Sequence, residues 1–354
     1  MENDVKISIA MATFNGGQFI QEQLNSLAKQ KKFPDELVVC DDGSTDETLD
    51  ILTNFSKKSP FVVRIYKNEK RLGHHKNFLK AASLCEGDWI AYCDQDDFWL
   101  NKKIETIASI INEFPDSNLV VHVARIVDEE LNFVGQKFWP RIKRLTVREP
   151  LTGSCVSFLR NSGHACIFKA QLFKELYQKA CCSNRRFPIC DTVSHDFWIS
   201  LLAHTFGKVI YVPNVLVFHR RHTKSLTRSG SDTRFGYSAR TAFGIGASTY
   251  RAQSSICIDY ADFLDYLVSK VEQKEHNLLK EQAIKGKHYY QTIGQILEQR
   301  ATIYDHQFVQ RVIAFGKLIL SGAYIPDPIG YGLGIKAFAK DFTRTLIGAY
   351  LDKK

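Results

Sequence analysis

Trp89-Ile90-Ala91-Tyr92-Cys93-Asp94-Gln95-Asp96-Asp97-Phe98-Trp99 delivers a short apolar run straight into three carboxylates. Such a run, near-continuously apolar over Trp89 to Cys93, reads as a buried parallel strand. Asp94, Asp96 and Asp97 then crowd at its exposed carboxyl end, where like charges repel unless a cation joins them. Carboxylate oxygens suit Mg²⁺ or Mn²⁺, which complete their shells with phosphate oxygens and water. A metal-bound diphosphate is therefore one reading, and a cap for a helix starting near Asn101 is the other. The segment alone leaves both open.

Upstream, Ile7 to Ala12, Leu37 to Cys40 and Val62 to Tyr66 are three more strand-like runs. Between them Ile20, Leu24 and Leu27 fall at helical spacing, as do Leu49, Leu52 and Phe55, and Ser44 with Glu47 makes a capping box. This βαβαβαβ pattern predicts a sheet whose ligand lies at the carboxyl ends of its strands. Ala12-Thr13-Phe14-Asn15-Gly16-Gly17 closes the first strand and opens a helix, offering backbone amides near a diphosphate and an aromatic face near a base. Asp41-Asp42-Gly43-Ser44-Thr45-Asp46 closes the second. Either segment by itself is ordinary turn chemistry.

Together, the three strand ends resemble the nucleotide-binding half of glycosyltransferase family 2. The family's Thr-x-Asn matches Thr13-Phe14-Asn15, its Asp-Asp-Gly-Ser-x-Asp matches Asp41 to Asp46, and its Asp-x-Asp-Asp matches Asp94-Gln95-Asp96-Asp97. Asn68-Glu69-Lys70-Arg71-Leu72-Gly73 followed by Asn77-Phe78 is similar to the loop and helix before the family's metal strand, so the resemblance runs over residues 5 to 105.

The resemblance implies a GT-A fold: an α/β, Rossmann-like, mixed and mostly parallel sheet flanked by helices, with a mainly helical C-terminal region. It implies a catalytic domain over 1–228, with a nucleotide-sugar half at 5–105 and an acceptor half at 118–228, and a helical region over 229–354. Thr13, Phe14, Asn15, Asp41, Asp42, Asn77, Asp94 and Gln95 are the expected donor contacts. Asp94 and Asp96 would hold Mg²⁺ or Mn²⁺ and the diphosphate, with Asp97 supporting them. His219-Arg220-Arg221-His222 resembles the Tyr-Arg-x-His of the rhamnosyltransferase-like branch, with histidine in place of tyrosine, which puts Arg220 at the diphosphate and His222 at the metal.

An inverting transferase also needs a carboxylate to take the acceptor's proton. Ser194-His195-Asp196-Phe197-Trp198 opens a helix about where the family has Glu-Asp or His-Asp, so Asp196 is the expected base, against the alternative of a helix cap. Asn161-Ser162-Gly163-His164-Ala165 places Gly163 and His164 near the acceptor by the same resemblance.

Further strands are expected at Leu119 to Val127, Ala165 to Lys169, Val209 to Val212 and Val215 to Phe218, with helices at Ala170 to Lys179 and Asp196 to Phe206. Gly135 to Thr152 reads as an irregular insert, Ser225 to Gly246 as a linker, and the chain from Thr249 as helical.

With 354 residues, 44% hydrophobic and 12% aromatic, the chain has enough apolar material for a full core. No stretch approaches the ~20 apolar residues of a membrane span. Nine cysteines without CxxC pairs fit a reducing cytoplasm. The whole net charge of +9 falls in residues 205–354, which predicts peripheral contact with an anionic membrane at the cell membrane's inner face. Phe308, Val312, Phe315 and Ile319 form an apolar stripe there, read first as packing against the catalytic domain and second as a membrane face.

The partners expected are thus a nucleoside-diphosphate sugar and a glycan or lipid-linked acceptor in bacterial surface-polysaccharide synthesis, rhamnose being the sugar the branch suggests. No aromatic-basic nucleic-acid motif occurs. A nucleotidyltransferase would show a Gly-rich basic phosphate loop that residues 13–17 do not form, and a non-enzymatic polyanion or lipid binder would rest on charge alone.

Overall fold

The structure, a computed structural model, describes residues 5–139, 142–151, 162–181, 194–222, 246–270, 277–305, 307–325 and 333–351. The chain divides into two compact units, one drawn from residues up to Leu226 and the other mainly Thr227–Lys354.

The first unit begins with β1 (Ile7–Thr13), α1 (Gly17–Ala28), β2 (Glu36–Asp41), α2 (Thr48–Ser56), β3 (Val62–Lys67), α3 (His74–Leu84) and β4 (Trp89–Asp94). It continues with β5 (Phe98–Trp99), α4 (Lys103–Glu113), β6 (Ser117–Val127), β7 (Phe133–Trp139) and β8 (Thr146–Arg148). A 3₁₀ turn at Gly163–Ala165, β9 (Cys166–Lys169), α5 (Ala170–Cys181), α6 (His195–Phe206) and β10 (Lys208–Arg220) complete it. The sheet order is β3-β2-β1-β4-β9-β6-β10-β5, with β7 on β6 and β8 on β10. Neighbours among β1 to β4 are parallel. Because β9 is antiparallel to both β4 and β6, and β10 is parallel to β6, the last two run the same way as the first four.

Every residue of β1 and β2 is buried, because helices cover both faces. Ile7, Ile9 and Met11 share one face with Leu37, Val39, Ala91 and Cys93, packed under Ile20, Leu24 and Leu27 of α1 and Ile104, Ile107 and Ile111 of α4. Each fully buried side chain of this size contributes roughly 1.5–3 kcal/mol. That core fixes the register that sets the strand ends side by side.

Four local expectations change. Val209 to Val212 and Val215 to Phe218 are one strand, whose pairing with β6 shifts register between Val212 and Val215 because Pro213 supplies no N–H. The insert at Gly135 to Thr152 carries the strand residues of β7 and β8. Ser44 does not cap α2: its hydroxyl serves Asp41 and Asn15, and Asp46 takes the Thr48 N–H instead. Neither Asp96 nor Asp97 caps α4, whose N-cap is Lys102 without a side-chain bond. The linker expected at Ser225 to Gly246 lies outside the described residues except Gly246.

The second unit contains α7 (Ala247–Lys270), α8 (Asn277–Asp305), α9 (Phe308–Leu320) and α10 (Gly334–Leu351). Ser254 on α7 donates to the Gly294 carbonyl of α8 at 2.7 Å, and Tyr260 meets Tyr290 edge-on with ring centroids 4.7 Å apart. Arg300 of α8 makes a two-pronged, buried bond to Asp341 of α10 at 2.8 and 2.9 Å, and the Tyr304 and Tyr324 hydroxyls donate to the same carboxylate. Such a pair holds its desolvation cost down by satisfying its remaining lone pairs. Of the stripe expected on α9, Phe315 is buried against Phe338, while Phe308, Val312 and Ile319 are exposed. No helix among the described residues is long and apolar enough to cross a membrane.

Candidate active site

The register pairs Thr13 with Asp41 and Ala12 with Asp94, so the ends of β1, β2 and β4 form one edge. Its first side is built by turn chemistry. Asp41 is fully buried and accepts from the Gly43 and Ser44 N–H groups and from the Ser44 and Thr13 hydroxyls. Asp42 accepts from Asn68 at 2.9 Å and from the Leu72 and Gly73 N–H groups at 2.6 and 2.8 Å. Asn15 adopts a φ of 47°, which asparagine tolerates, and its Oδ1 accepts from Thr45 N–H at 2.9 Å. The Arg71 guanidinium covers the Phe14 ring at 3.9 Å.

The second side follows β4. Gln95 bridges back to the first: Oε1 accepts from Phe14 N–H at 3.0 Å and Nε2 donates to the Phe14 carbonyl at 3.2 Å. His222 Nε2 lies 2.7 Å from Asp96 Oδ2, and His164 Nδ1 lies 3.7 Å from Asp94 Oδ2. Asp97 is fully buried; its Oδ1 meets His219 Nδ1 at 2.9 Å and the Arg220 N–H at 3.2 Å, while its Oδ2 has no hydrogen-bond partner among the described residues. Burial pushes Asp97 up. Burial alone would lower His219, but the adjoining Asp97 carboxylate lifts it to about 9, so the pair keeps a proton between them across neutral pH.

Asp94, Asp97, His164 and His219 bring ligand atoms within 4.8 Å of one another. The carboxylates, one with an unpartnered buried oxygen, are ligands of the kind Mg²⁺ or Mn²⁺ takes, while imidazole is more often the ligand of a softer divalent ion. Asp96 with His222 forms a further carboxylate–imidazole pair just after β4.

Asp196 lies in the first turn of α6. It accepts from the Ser194 hydroxyl, from Phe197 N–H at 2.8 Å and from Gly163 N–H at 3.3 Å. Burial opposes ionisation, but His195 and these donors outweigh it and hold the carboxyl below its ordinary value. It is a carboxylate at neutral pH, tied to the turn that carries His164. His195 stacks on Phe78 at 4.2 Å and lies 3.5 Å from His75, and burial lowers it to about 4.

Two expected donor contacts point inward. Asn77 is spent on Asn68 and the Cys40 carbonyl, tying α3 to the end of β2. Arg220 is buried, donating to the Asp96 and Glu129 carbonyls and the Glu22 carboxylate while resting over Phe19. Both hold loops in place here. Asp97 is expected from the sequence as a support for the metal residues, whereas its pairing with His219 and the burial of Lys103 have no counterpart in that reading. Fully buried Lys103 lies 3.4 Å over the Trp99 ring, donates to the His164 carbonyl, and is lowered by burial to about 7. Its signal was a lysine on the apolar face it shares with Ile107 and Ile111.

A mostly parallel sheet with carboxylates and imidazoles at this edge is the GT-A architecture of nucleotide-sugar glycosyltransferases. Residues 8–177 match the family model described as glycosyl transferase family 2. Glycosyltransferase GlyG of Streptococcus pneumoniae is 27% identical over 232 residues, 64% of this chain and 74% of GlyG. The dTDP-rhamnosyl transferase RfbG of Shigella flexneri is 38% identical over 99 residues, 27% of this chain and 34% of RfbG. Relatives from Mycobacterium bovis and Mycobacterium tuberculosis, 23% identical, are matched over 66% of their length. The crystal structure of Staphylococcus aureus TarS 1-349 superposes with a TM-score of 0.55 at 20% identity, covering 99% of this chain and 92% of that one, a likeness of fold.

Proposed function

We propose that this chain is an inverting glycosyltransferase of family 2 that moves a sugar from a nucleoside-diphosphate donor to a hydroxyl of a glycan or lipid-linked glycan in surface-polysaccharide synthesis. The observation that carries the reading is the joining of Asp96 to His222 at 2.7 Å on the edge shared by Thr13, Asp41 and Asp94. RfbG, named a dTDP-rhamnosyl transferase, makes dTDP-rhamnose the first donor to try.

Thr13, Phe14 and Asn15 would border the nucleoside, with Asp41 and Asp42 shaping the loops around it and Gln95 holding Phe14 in place. Mg²⁺ or Mn²⁺ held by Asp94, Asp96 and His222 would stabilise the departing nucleoside diphosphate. Asp196 would take the proton of the acceptor hydroxyl as its oxygen bonds to the anomeric carbon, opposite the bond to the leaving diphosphate. Arg220 would act on the diphosphate through the Asp96 backbone it holds.

Purified protein with Mn²⁺ and a panel of nucleotide sugars should release nucleoside diphosphate from one donor. Release of pyrophosphate, or binding only to polyanions, would overturn the reading. Asp196→Asn should keep donor affinity and lower transfer by about 10²–10⁴-fold. Because the residue's ordinary value of 3.8 is lowered further, protonation of this base should not limit transfer until below about pH 4.

A further inference from the structure

We propose that α9 and α10 form a face that lies on an anionic lipid surface. Val309, Ile313 and Leu320 on α9 and Ile335 and Leu346 on α10 project into solvent, with Leu320 89% and Ile335 76% exposed. Their positions recur at helical spacing on each helix, as the outer stripe of an amphipathic helix does. The two helices already share an inner contact through Phe315, Phe338 and Phe342, with ring centroids 5.4 Å and 5.9 Å from Phe315, so the outer side chains are surplus to the unit's own core.

Charge selects the occupant. Along α7 and α8, acids and bases are interleaved and paired, as in Arg251 with Asp305, Lys287 with Asp265 and Lys285 with Glu281. On α9 there is no acidic residue, and on α10 the one carboxylate, Asp341, is fully buried on Arg300. Exposed Lys317 and Lys336 stand among the apolar side chains. A carboxylate-free apolar face edged with lysine matches an interface of acyl chains beneath anionic headgroups. A second copy of the same face would bring like charges together.

The inference does not depend on the sugar-transfer reading. The full chain should float with phosphatidylcholine vesicles containing phosphatidylglycerol, remain with the soluble fraction when only phosphatidylcholine is present, and release as salt is raised. The pair Leu320→Glu and Ile335→Glu changes only solvent-facing side chains, so helicity and nucleotide binding should stay as they are while vesicle affinity falls at least tenfold. Lys317→Glu with Lys336→Glu should weaken binding to anionic vesicles in the same sense. Absence of vesicle binding, equal binding to both vesicle types, or a concentration-dependent oligomer dispersed by Leu320→Glu would each overturn the proposal, the last in favour of self-association.

Discussion

At the ends of β1 and β2, Asp41, Asp42 and Asp46 are satisfied by backbone amides and hydroxyls of the loops around them. After β4, Asp94, Asp96 and Asp97 instead face imidazoles from the far part of the unit, His164, His222 and His219. The difference is one of purpose. A carboxylate with its donors in place shapes a loop whether or not a ligand is bound. One that meets an imidazole leaves two groups that both suit a cation. In the proposed reading, the side that would meet the nucleoside is thus a finished scaffold, and the side that would meet the diphosphate would be completed by what binds there.

The contrast breaks most visibly at Asp96. Asp96→Ala should lower kcat/KM at least about 100-fold and abolish the thermal stabilisation that Mn²⁺ gives with donor, while leaving stability without metal within about 0.5 kcal/mol. Asp41→Ala should do the reverse. It strands buried donors of Ser44 and Gly43, costing about 2 kcal/mol in urea unfolding, with loss of donor affinity only as the loop loosens. Equal effects of the two substitutions on metal dependence would erase the distinction.

Lys103 sharpens it from beneath. Its ordinary value is 10.5 and burial lowers it to about 7. Below about pH 7 both folded and unfolded chains carry the proton, and the cost of burying the charge is fully present. Between about 7 and 10.5 the folded chain sheds a proton that the unfolded chain keeps, so this residue adds stability as pH rises. Lys103→Met should therefore stabilise more at about pH 6 than at about pH 9, by about 1–2 kcal/mol in chemical denaturation. A difference independent of pH would mean that the ring of Trp99 and the His164 carbonyl offset the burial.

How much was legible follows the same division. The strands, the two turn motifs and the acidic run are local patterns, so β1 to β4 and the roles of Thr13, Asp41 and Asp94 as strand ends could be read from spacing. Asp97, His219 and Lys103 lie up to 122 residues apart, and the antiparallel pairing of β5 with the end of β10, Phe98 opposite Phe218, is what sets Asp97 beside His219. Asn77 and Arg220 were legible as residue types belonging near the site. That their polar groups turn inward depends on which carbonyls the folded loops leave without donors.

The smallest expected effect tests the join between the two sides. Gln95 reaches from the β4 end to both backbone groups of Phe14, and a Cβ on Gly16 would sit 2.3 Å from Gln95 Oε1. Gly16 has φ −98° and ψ 8°, which alanine adopts without strain, so Gly16→Ala should act through Gln95 alone. Displacing the amide costs about 1 kcal/mol. In a Gln95→Ala background the same change should cost almost nothing, and the double-mutant cycle should return nearly the whole of that energy as coupling. Additive costs would show that the nucleoside and diphosphate sides are held by separate contacts, and that Gln95 only happens to lie between them.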